Sequence, residues 1–268
     1  MKITENSMHG NSAEARSLEI DRSAGAWPVP ARPIAPWWHT ALLVAFLATV
    51  SLLTSKEAKT RGFSGDHVHR YLFGIGWEWL LAALAWWGIR IRHVPVRQLL
   101  GRRRAGWKMW ARDFGVAMIF WLLAVMVLAA MATVLRLLHQ ATLQKAVIDL
   151  APNGGLEIAL WLALCISAGI VEEFVFRGYL LQQFASLASI AGRAERGLWI
   201  GILASSLVFG ISHGYEGVGG MLAVTAYGAM FCALAVKRNS LRAGMMAHAW
   251  HDSLTGIVLT IVKHLRAI

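Results

Sequence analysis

The chain has 268 residues, of which 57% are hydrophobic, with a formal net charge of +11 and a mean hydropathy of +0.51. A soluble domain of this length rarely reaches such an apolar composition, because it must cover its surface with polar groups. The composition therefore excludes an ordinary soluble enzyme and predicts a polytopic membrane protein.

The chain begins with 36 residues that are polar, mixed in charge and rich in proline over 28–36. This stretch does not resemble a cleaved secretory signal peptide. We predict that residues 1–36 form a disordered cytoplasmic tail, which ends at Trp37 and Trp38 because tryptophans anchor helices at membrane interfaces.

Seven apolar stretches follow, and the longer ones reach the length that a helix needs to cross a bilayer. They cover residues 37–54, 71–89, 114–138, 156–184, 198–213, 218–236 and 241–262. We predict an all-α transmembrane bundle of about seven spans, with three N-terminal helices over 37–140 and a second helical region over 156–262. The first and fifth stretches are short, which leaves open whether they cross the membrane fully.

The positive charges are distributed unevenly between the two sides of the predicted bundle. The N-terminal tail carries 4 Lys and Arg, residues 90–112 carry 8, and the loops near Arg193 and Lys237 lie on the same side. This excess predicts a plasma (inner) membrane protein with a cytoplasmic N-terminus. We interpret the run Gly-Arg-Arg-Arg-Ala at 101–105 as an anchor on anionic lipid and expect no nucleic-acid partner, since no nucleic-acid-binding module accompanies it.

Ionisable residues divide the chain near the Pro152-Asn-Gly-Gly turn. The three spans before the turn are almost free of such residues in their interiors, with Glu78 as the exception. We interpret Glu78 as a side chain near the membrane interface or paired with a basic neighbour. The spans after the turn contain Glu, Arg, His and Asp, so we expect the chemistry of the protein there.

The fourth span contains the sequence AGIVEEFVFRGYLLQQF, which begins at Ala168. In a regular helix Glu173 and Arg177 share a face, because four residues separate them, and they are expected to form an ion pair. Glu172 points in another direction and has no partner in its own helix. The pattern predicts a structural role for the pair and a free carboxyl at Glu172.

Histidines in the fifth and seventh spans are the candidates to join Glu172. Phe209-Gly-Ile-Ser-His213 ends the fifth span, and His248 and Asp252 lie four residues apart on one face of the seventh. We predict that Glu172, His213 and His248 converge on one cavity. An apolar cavity disfavours the charged form of a carboxylate, so Glu172 there becomes a competent base for activating water.

A glutamate with two histidines also resembles a zinc ligand set with one open position. The His-Glu-x-x-His helix of many metalloproteases is absent from the sequence, and the three residues come from different spans. We therefore expect no metal cofactor, with a divalent ion such as zinc as the alternative.

The three motifs Glu172-Glu173-x-x-x-Arg177, Phe209-x-x-x-His213 and His248-x-x-x-Asp252, in this order, resemble those of the CPBP intramembrane proteases. That family includes the type II CAAX prenyl endopeptidases and the bacteriocin-processing and self-immunity (Abi) proteins. Gly178, Tyr179 and Leu180 also look like the family's continuation after the arginine.

The resemblance implies roles for these residues and a catalytic core over 156–262. Glu172 would activate the attacking water with help from His213, and His248 with Asp252 would form the oxyanion site. Glu173 and Arg177 would hold the helix in shape. The family usually has Asn where this chain has Asp252, so Asp252 acts either as a protonated donor or as an ionised partner that orients His248.

The function predicted from the resemblance is an intramembrane endopeptidase whose substrate is a membrane-associated or lipidated peptide. One alternative is a non-catalytic immunity or scaffold protein of the same fold, with the polar cluster as a binding site. Another is a small proton-coupled transporter, which the absence of an internal repeat disfavours.

Overall fold

The structure is a computed structural model that describes residues 30–63, 65–101, 106–139, 144–193 and 196–267. The regular elements within these residues are helices, which confirms the predicted all-α class. The longer helices in chain order are α1 Trp37–Thr60, α2 His67–Ile91, α3 Val96–Leu100, α4 Trp107–Leu137, α5 Gln144–Asp149, α6 Gly155–Glu172, the π-helix π1 Glu173–Leu180, α7 Leu181–Ala188, α8 Gly197–Ser212, α9 Gly217–Arg238 and α10 Arg242–Ala267. Two short helical turns, Ser189–Arg193 and Gly214–Glu216, follow α7 and α8.

Five helical stretches of the described chain are long and apolar enough to cross a membrane. They are Trp37–Thr60, His67–Ile91, Trp107–Leu137, Gly155–Arg193 and Gly214–Arg238. Helix α8 is apolar but shorter, and α10 is long but carries three histidines and an aspartate. Each of the seven predicted stretches is therefore helical in the described part of the chain, and five of the stretches are long and apolar enough to be a span.

The outer surface of the bundle is apolar, as expected of a multi-pass membrane protein. Large hydrophobic side chains with at least a third of their surface exposed occur on most of the long helices, among them Phe73, Trp86, Leu122, Met126 and Leu203. A soluble protein does not expose so much contiguous apolar surface. These side chains are suited to contact with lipid.

The last residues of the predicted tail, just before α1, are packed against the bundle. Residues 1–29 of the predicted disordered tail lie outside the described residues, but Ile34 and Ala35 are buried. The backbone N–H of Ala35 donates to Gln183 Oε1 at 3.0 Å, and Gln183 Nε2 donates back to the Ala35 carbonyl at 2.9 Å. This reciprocal pair fixes the chain to α7 before α1 begins.

The helices of the two halves pack directly on one another. Helix α2 packs along α6, and α4 packs along α10. Tyr71 contacts Trp161, and one turn further Gly74 lies against Leu164, so α2 and α6 run in the same direction. The largest buried cluster accordingly combines Leu81 and Ala85 of α2 with Val171 of α6 and Val175 of π1.

A charged cluster ties α4 to the ends of α9 and α10. Asp113 Oδ1 accepts from Arg238 Nη2 at 2.6 Å, and Asp113 Oδ2 lies 2.7 Å from Arg242 Nη2. The single negative charge of Asp113 thus compensates one of the two arginine charges, and the cluster keeps a net charge of +1. The described part of the basic loop contains Gly101, which forms an isolated bridge with Ser240, whereas residues 102–105 lie outside the described residues.

Candidate active site

The two adjacent glutamates lie where the helix changes type. The sequence predicts one regular α-helix over 156–184, but α6 ends at Glu172 and π1 runs from Glu173 to Leu180. A π-helix has a wider turn than an α-helix, occurs mostly as short segments inside α-helices, and is frequent at functional sites. Every residue of π1 is buried, so tertiary packing stabilises this uncommon conformation.

Glu173 and Arg177 are the fully buried members of the polar cluster. Arg177 Nη1 lies 3.0 Å from Glu173 Oε1, and both side chains have no exposed surface. The guanidinium also faces the rings of Phe209 and Phe231, with distances of 4.2 and 4.8 Å from its central carbon to the ring centroids. Aromatic faces attract a desolvated cation, so the rings offset part of the cost of burying this charge.

Glu173 has a second partner that sequence reasoning missed. His248 Nδ1 lies 3.1 Å from Glu173 Oε1, the same oxygen that pairs with Arg177. Because a carboxylate only accepts, His248 Nδ1 carries a proton and donates it to this contact. Gly244 allows the approach, since a Cβ at that position would lie 2.9 Å from Glu173 Oε2. Glu173 thus fixes the orientation of the His248 ring.

The other nitrogen of His248 faces the accessible carboxylates. His248 Nε2 lies 3.5 Å from Glu172 Oε2 and 3.6 Å from Asp252 Oδ2. The side-chain exposure rises from 0% for Glu173 to 14% for Glu172 and 31% for Asp252. Glu172 is therefore inside the bundle but open to a small reactant, whereas Glu173 is closed off.

His213 lies at the end of α8 with one nitrogen left for chemistry. Its Nδ1 is 2.9 Å from the Phe209 carbonyl oxygen, which can only accept, so Nδ1 carries the proton. In the neutral ring Nε2 then has a lone pair that can accept from water. Ser51 of α1 positions the adjoining turn, since its Oγ donates to the Ile211 carbonyl and accepts from the Gly214 N–H at 3.2 Å.

The three helices bring the expected residues into one cluster. Asp252 interacts electrostatically with His248, Glu172 and His213. The Phe209 ring contacts both imidazoles, with ring centroids 4.8 Å from His213 and 6.1 Å from His248. Glu172, His213, His248 and Asp252 therefore line a single site, although they come from separate segments of the chain.

Glu78, which the sequence placed near the membrane interface or beside a basic neighbour, is buried inside the bundle, where it interacts with His248 but also with the carboxyls of Glu172 and Asp252. Its relative exposure is 7%, and its carboxyl lies within hydrogen-bonding reach of the Glu172 carboxyl. The sequence spacing on α2 could have indicated that Glu78 is buried. Glu78 lies at helical intervals from Tyr71, Leu81 and Ala85, which share one buried face of the helix. Glu78 occupies a core position of that face and thus points into the bundle.

Other polar side chains at the site were missed as well. Glu216 interacts with His213 and Glu172 and hydrogen-bonds to Tyr215. The Tyr227 ring contacts the imidazole of His248 and, at a centroid distance of 5.0 Å, that of His251. Among the described residues, no group of three or more His, Cys, Asp or Glu is arranged to hold a metal ion.

Residues 154–254 match the family model of the Rce1-like type II CAAX prenyl endopeptidases. The match includes all three motifs and confirms the resemblance to the CPBP intramembrane protease family. No curated protein and no solved structure matches the chain.

The match supports, for the segment 154–254, a relationship to the CPBP intramembrane proteases at the level of the family. The apolar helices are those of a multi-pass membrane protein, and the segment 154–254 is similar to a CAAX-type protease core.

Proposed function

We propose that this protein is an intramembrane endopeptidase in which Glu172 activates a water molecule. One observation carries the proposal: Glu172 is the accessible carboxyl of a buried cluster, 3.5 Å from an imidazole nitrogen whose ring is already fixed by Glu173. A carboxylate beside an oriented imidazole in a water-poor cavity is a competent general base. His213 Nε2 is free to accept a second hydrogen bond from the same water.

The reaction proceeds in two steps with the proton conserved. Glu172 takes a proton from water as the water oxygen bonds to the scissile carbonyl carbon, and the carbonyl oxygen becomes an oxyanion. His248 Nε2–H and a protonated Asp252 are suited to stabilise this charge, because donors at the developing oxyanion lower the barrier. The C–N bond then breaks, and the proton on Glu172 passes to the leaving amine.

The proposed substrate is a membrane-associated or lipidated peptide, with membrane lipids as the surrounding partner and no metal cofactor. The apolar exterior of the bundle favours a substrate that reaches the site from the membrane. We further propose a plasma (inner) membrane location with the N-terminus in the cytoplasm, which the distribution of Lys and Arg supports.

The test compares purified wild type with Glu172→Gln and Glu172→Ala in detergent, on peptides with and without a prenyl group. Both variants should lower cleavage by about 10²- to 10⁴-fold, the contribution expected of a general base. Glu157→Gln is the matched control, because Glu157 lies on the same helix next to His67, away from the site. Cleavage that survives in Glu172→Ala would refute the proposed role.

A further inference from the structure

Glu78 lies on α2, outside the segment that matches the protease family, and yet its side chain reaches the site. Helices α2 and α6 pack in parallel from Tyr71 and Trp161 onward. Glu78 occupies the buried face of α2, in hydrogen-bonding reach of Glu172. The two carboxyls therefore face each other across the helix interface.

If Glu78 and Glu172 were both ionised, their buried oxygens would lack hydrogen-bond donors. When both are counted as carboxylates, Glu78 Oε2 and Glu172 Oε2 are buried without a hydrogen-bond donor among the described residues. His248 Nε2, at 3.5 Å from Glu172 Oε2, is beyond a good hydrogen-bond distance. One proton between the carboxyls supplies the missing donor and satisfies both oxygens, because a protonated carboxyl donates where an ionised one only accepts.

The charges around the pair also require a proton. The groups that interact with Glu78 are Glu172, His248 and Asp252, and Glu172 and Asp252 in turn interact with Glu216. Arg177 and Glu173 neutralise each other. The remaining carboxyls outnumber the imidazoles of His248 and His213, so full ionisation would leave uncompensated negative charge in an apolar interior.

We propose that Glu78 is a positioning residue of the active site that shares one proton with Glu172. The neutral carboxyl of Glu78 donates to one oxygen of Glu172, which holds Glu172 ionised and turns its other oxygen toward the water. The shared proton is not consumed in the reaction, since the proton from water travels through Glu172 to the leaving amine. This inference rests on the proposed function for its catalytic part, whereas the proton-sharing pair exists independently of it.

Infrared spectroscopy of the purified protein at neutral pH tests the pair without reference to activity. Glu78→Gln should remove a carboxylic-acid C=O band that wild type shows. Glu172→Gln should keep that band but shift it, because the acid then donates to an amide instead of a carboxylate. Glu57→Gln, at a partly exposed ion pair with Arg70, is the control and should leave the band in place. An unchanged band in Glu78→Gln, or an unshifted one in Glu172→Gln, would overturn the proposal.

Cleavage measurements test the positioning role. Glu78→Leu should lower cleavage by about 10- to 100-fold, the factor expected for losing a hydrogen bond to a charged group. Glu78→Gln should restore part of this loss, since an amide also donates. The dependence of cleavage on pH should also differ between the two proteins. Wild type should lose activity at alkaline pH, where the pair releases its shared proton, and Glu78→Gln should not show this loss because it has no such proton.

These measurements test the role of Glu78 separately from the proposed peptidase activity. Thermal unfolding shows whether Glu78→Leu is folded, and Glu78→Gln decides the question if it is not. Identical pH profiles for wild type and Glu78→Gln would overturn the positioning role. A wild type that cleaves no peptide would refute the proposed peptidase, and the infrared result would then decide the pair alone.

Discussion

Glu173 is the residue that links structure to chemistry at this site. The sequence assigns it to a structural ion pair with Arg177, and the structure gives its Oε1 a second contact with His248 Nδ1. The orientation of His248 therefore does not depend on Asp252, which lies on the opposite nitrogen. This arrangement makes Asp252 available as a donor to the oxyanion.

The first prediction follows for Asp252, where the family usually has Asn. Asp252→Asn keeps a hydrogen-bond donor and leaves the Glu173 contact that orients His248, so cleavage should be preserved or raised, most clearly above neutral pH. A pH–rate profile of the variant against wild type provides the measurement. A large loss at every pH would instead show that an ionised Asp252 orients His248, in the manner of a triad carboxylate.

A second prediction concerns the cation of the buried pair. Arg177→Ala removes the guanidinium from a carboxylate without exposed surface and leaves it only the His248 contact, so the free energy of unfolding should fall by about 3–5 kcal/mol. Arg70→Ala is the control, because the Arg70–Glu57 pair is partly exposed and should contribute at most about 1 kcal/mol. Unfolding in detergent measures both, and equal stability of Arg177→Ala and wild type would contradict the ion pair's importance.

At the scale of elements, small residues let the helices that carry the site approach closely. Gly169 on α6 faces α10, where an added Cβ would lie 2.7 Å from the Ala249 nitrogen and 2.9 Å from the Met245 carbonyl oxygen. Both are backbone atoms, which cannot move without displacing the helix. Close backbone approach at small residues is a common way for membrane helices to associate.

Gly169→Ala should therefore separate α6 from α10 and pull His248 away from Glu172 and Glu173. We expect a loss of about 1–3 kcal/mol in unfolding free energy, typical of overpacking, together with reduced cleavage. Gly76→Ala on α2 is the matched control, since a Cβ there meets nothing within 4 Å. Wild-type stability and cleavage in Gly169→Ala would contradict this account of the interface.

At the scale of the whole molecule, the orientation in the membrane can be measured directly. The excess of Lys and Arg in the tail and over 90–112 predicts that this side faces the cytoplasm. A reporter fused after Arg104 should read as cytoplasmic, and one fused after Ala151 should read as external. The reverse pattern would overturn the proposed topology while leaving the site unaffected.

Apolar patterning was sufficient to predict the helices and to locate the polar clusters within them, because long hydrophobic runs and isolated charges are visible in a sequence. It was insufficient for the π-helix, since Glu173–Leu180 looks like ordinary helix and its conformation depends on tertiary packing. Glu78 was not assigned to the site for a related reason. Its role depends on which helix packs against α2, and a single sequence does not contain that pairing.

The residues around the site come from both halves of the chain, so the matching segment alone does not contain the whole site. The matching segment 154–254 excludes Glu78 of α2 and Ser51 of α1, which supports the turn beside His213. Val171 and Val175 pack in one cluster with Leu81 of α2. A protein made of residues 154–254 alone would expose Val171 and Val175 to solvent or lipid, and it would lack the polar side chains of Glu78 and Ser51. The smallest unit that inherits the whole site thus begins no later than α1.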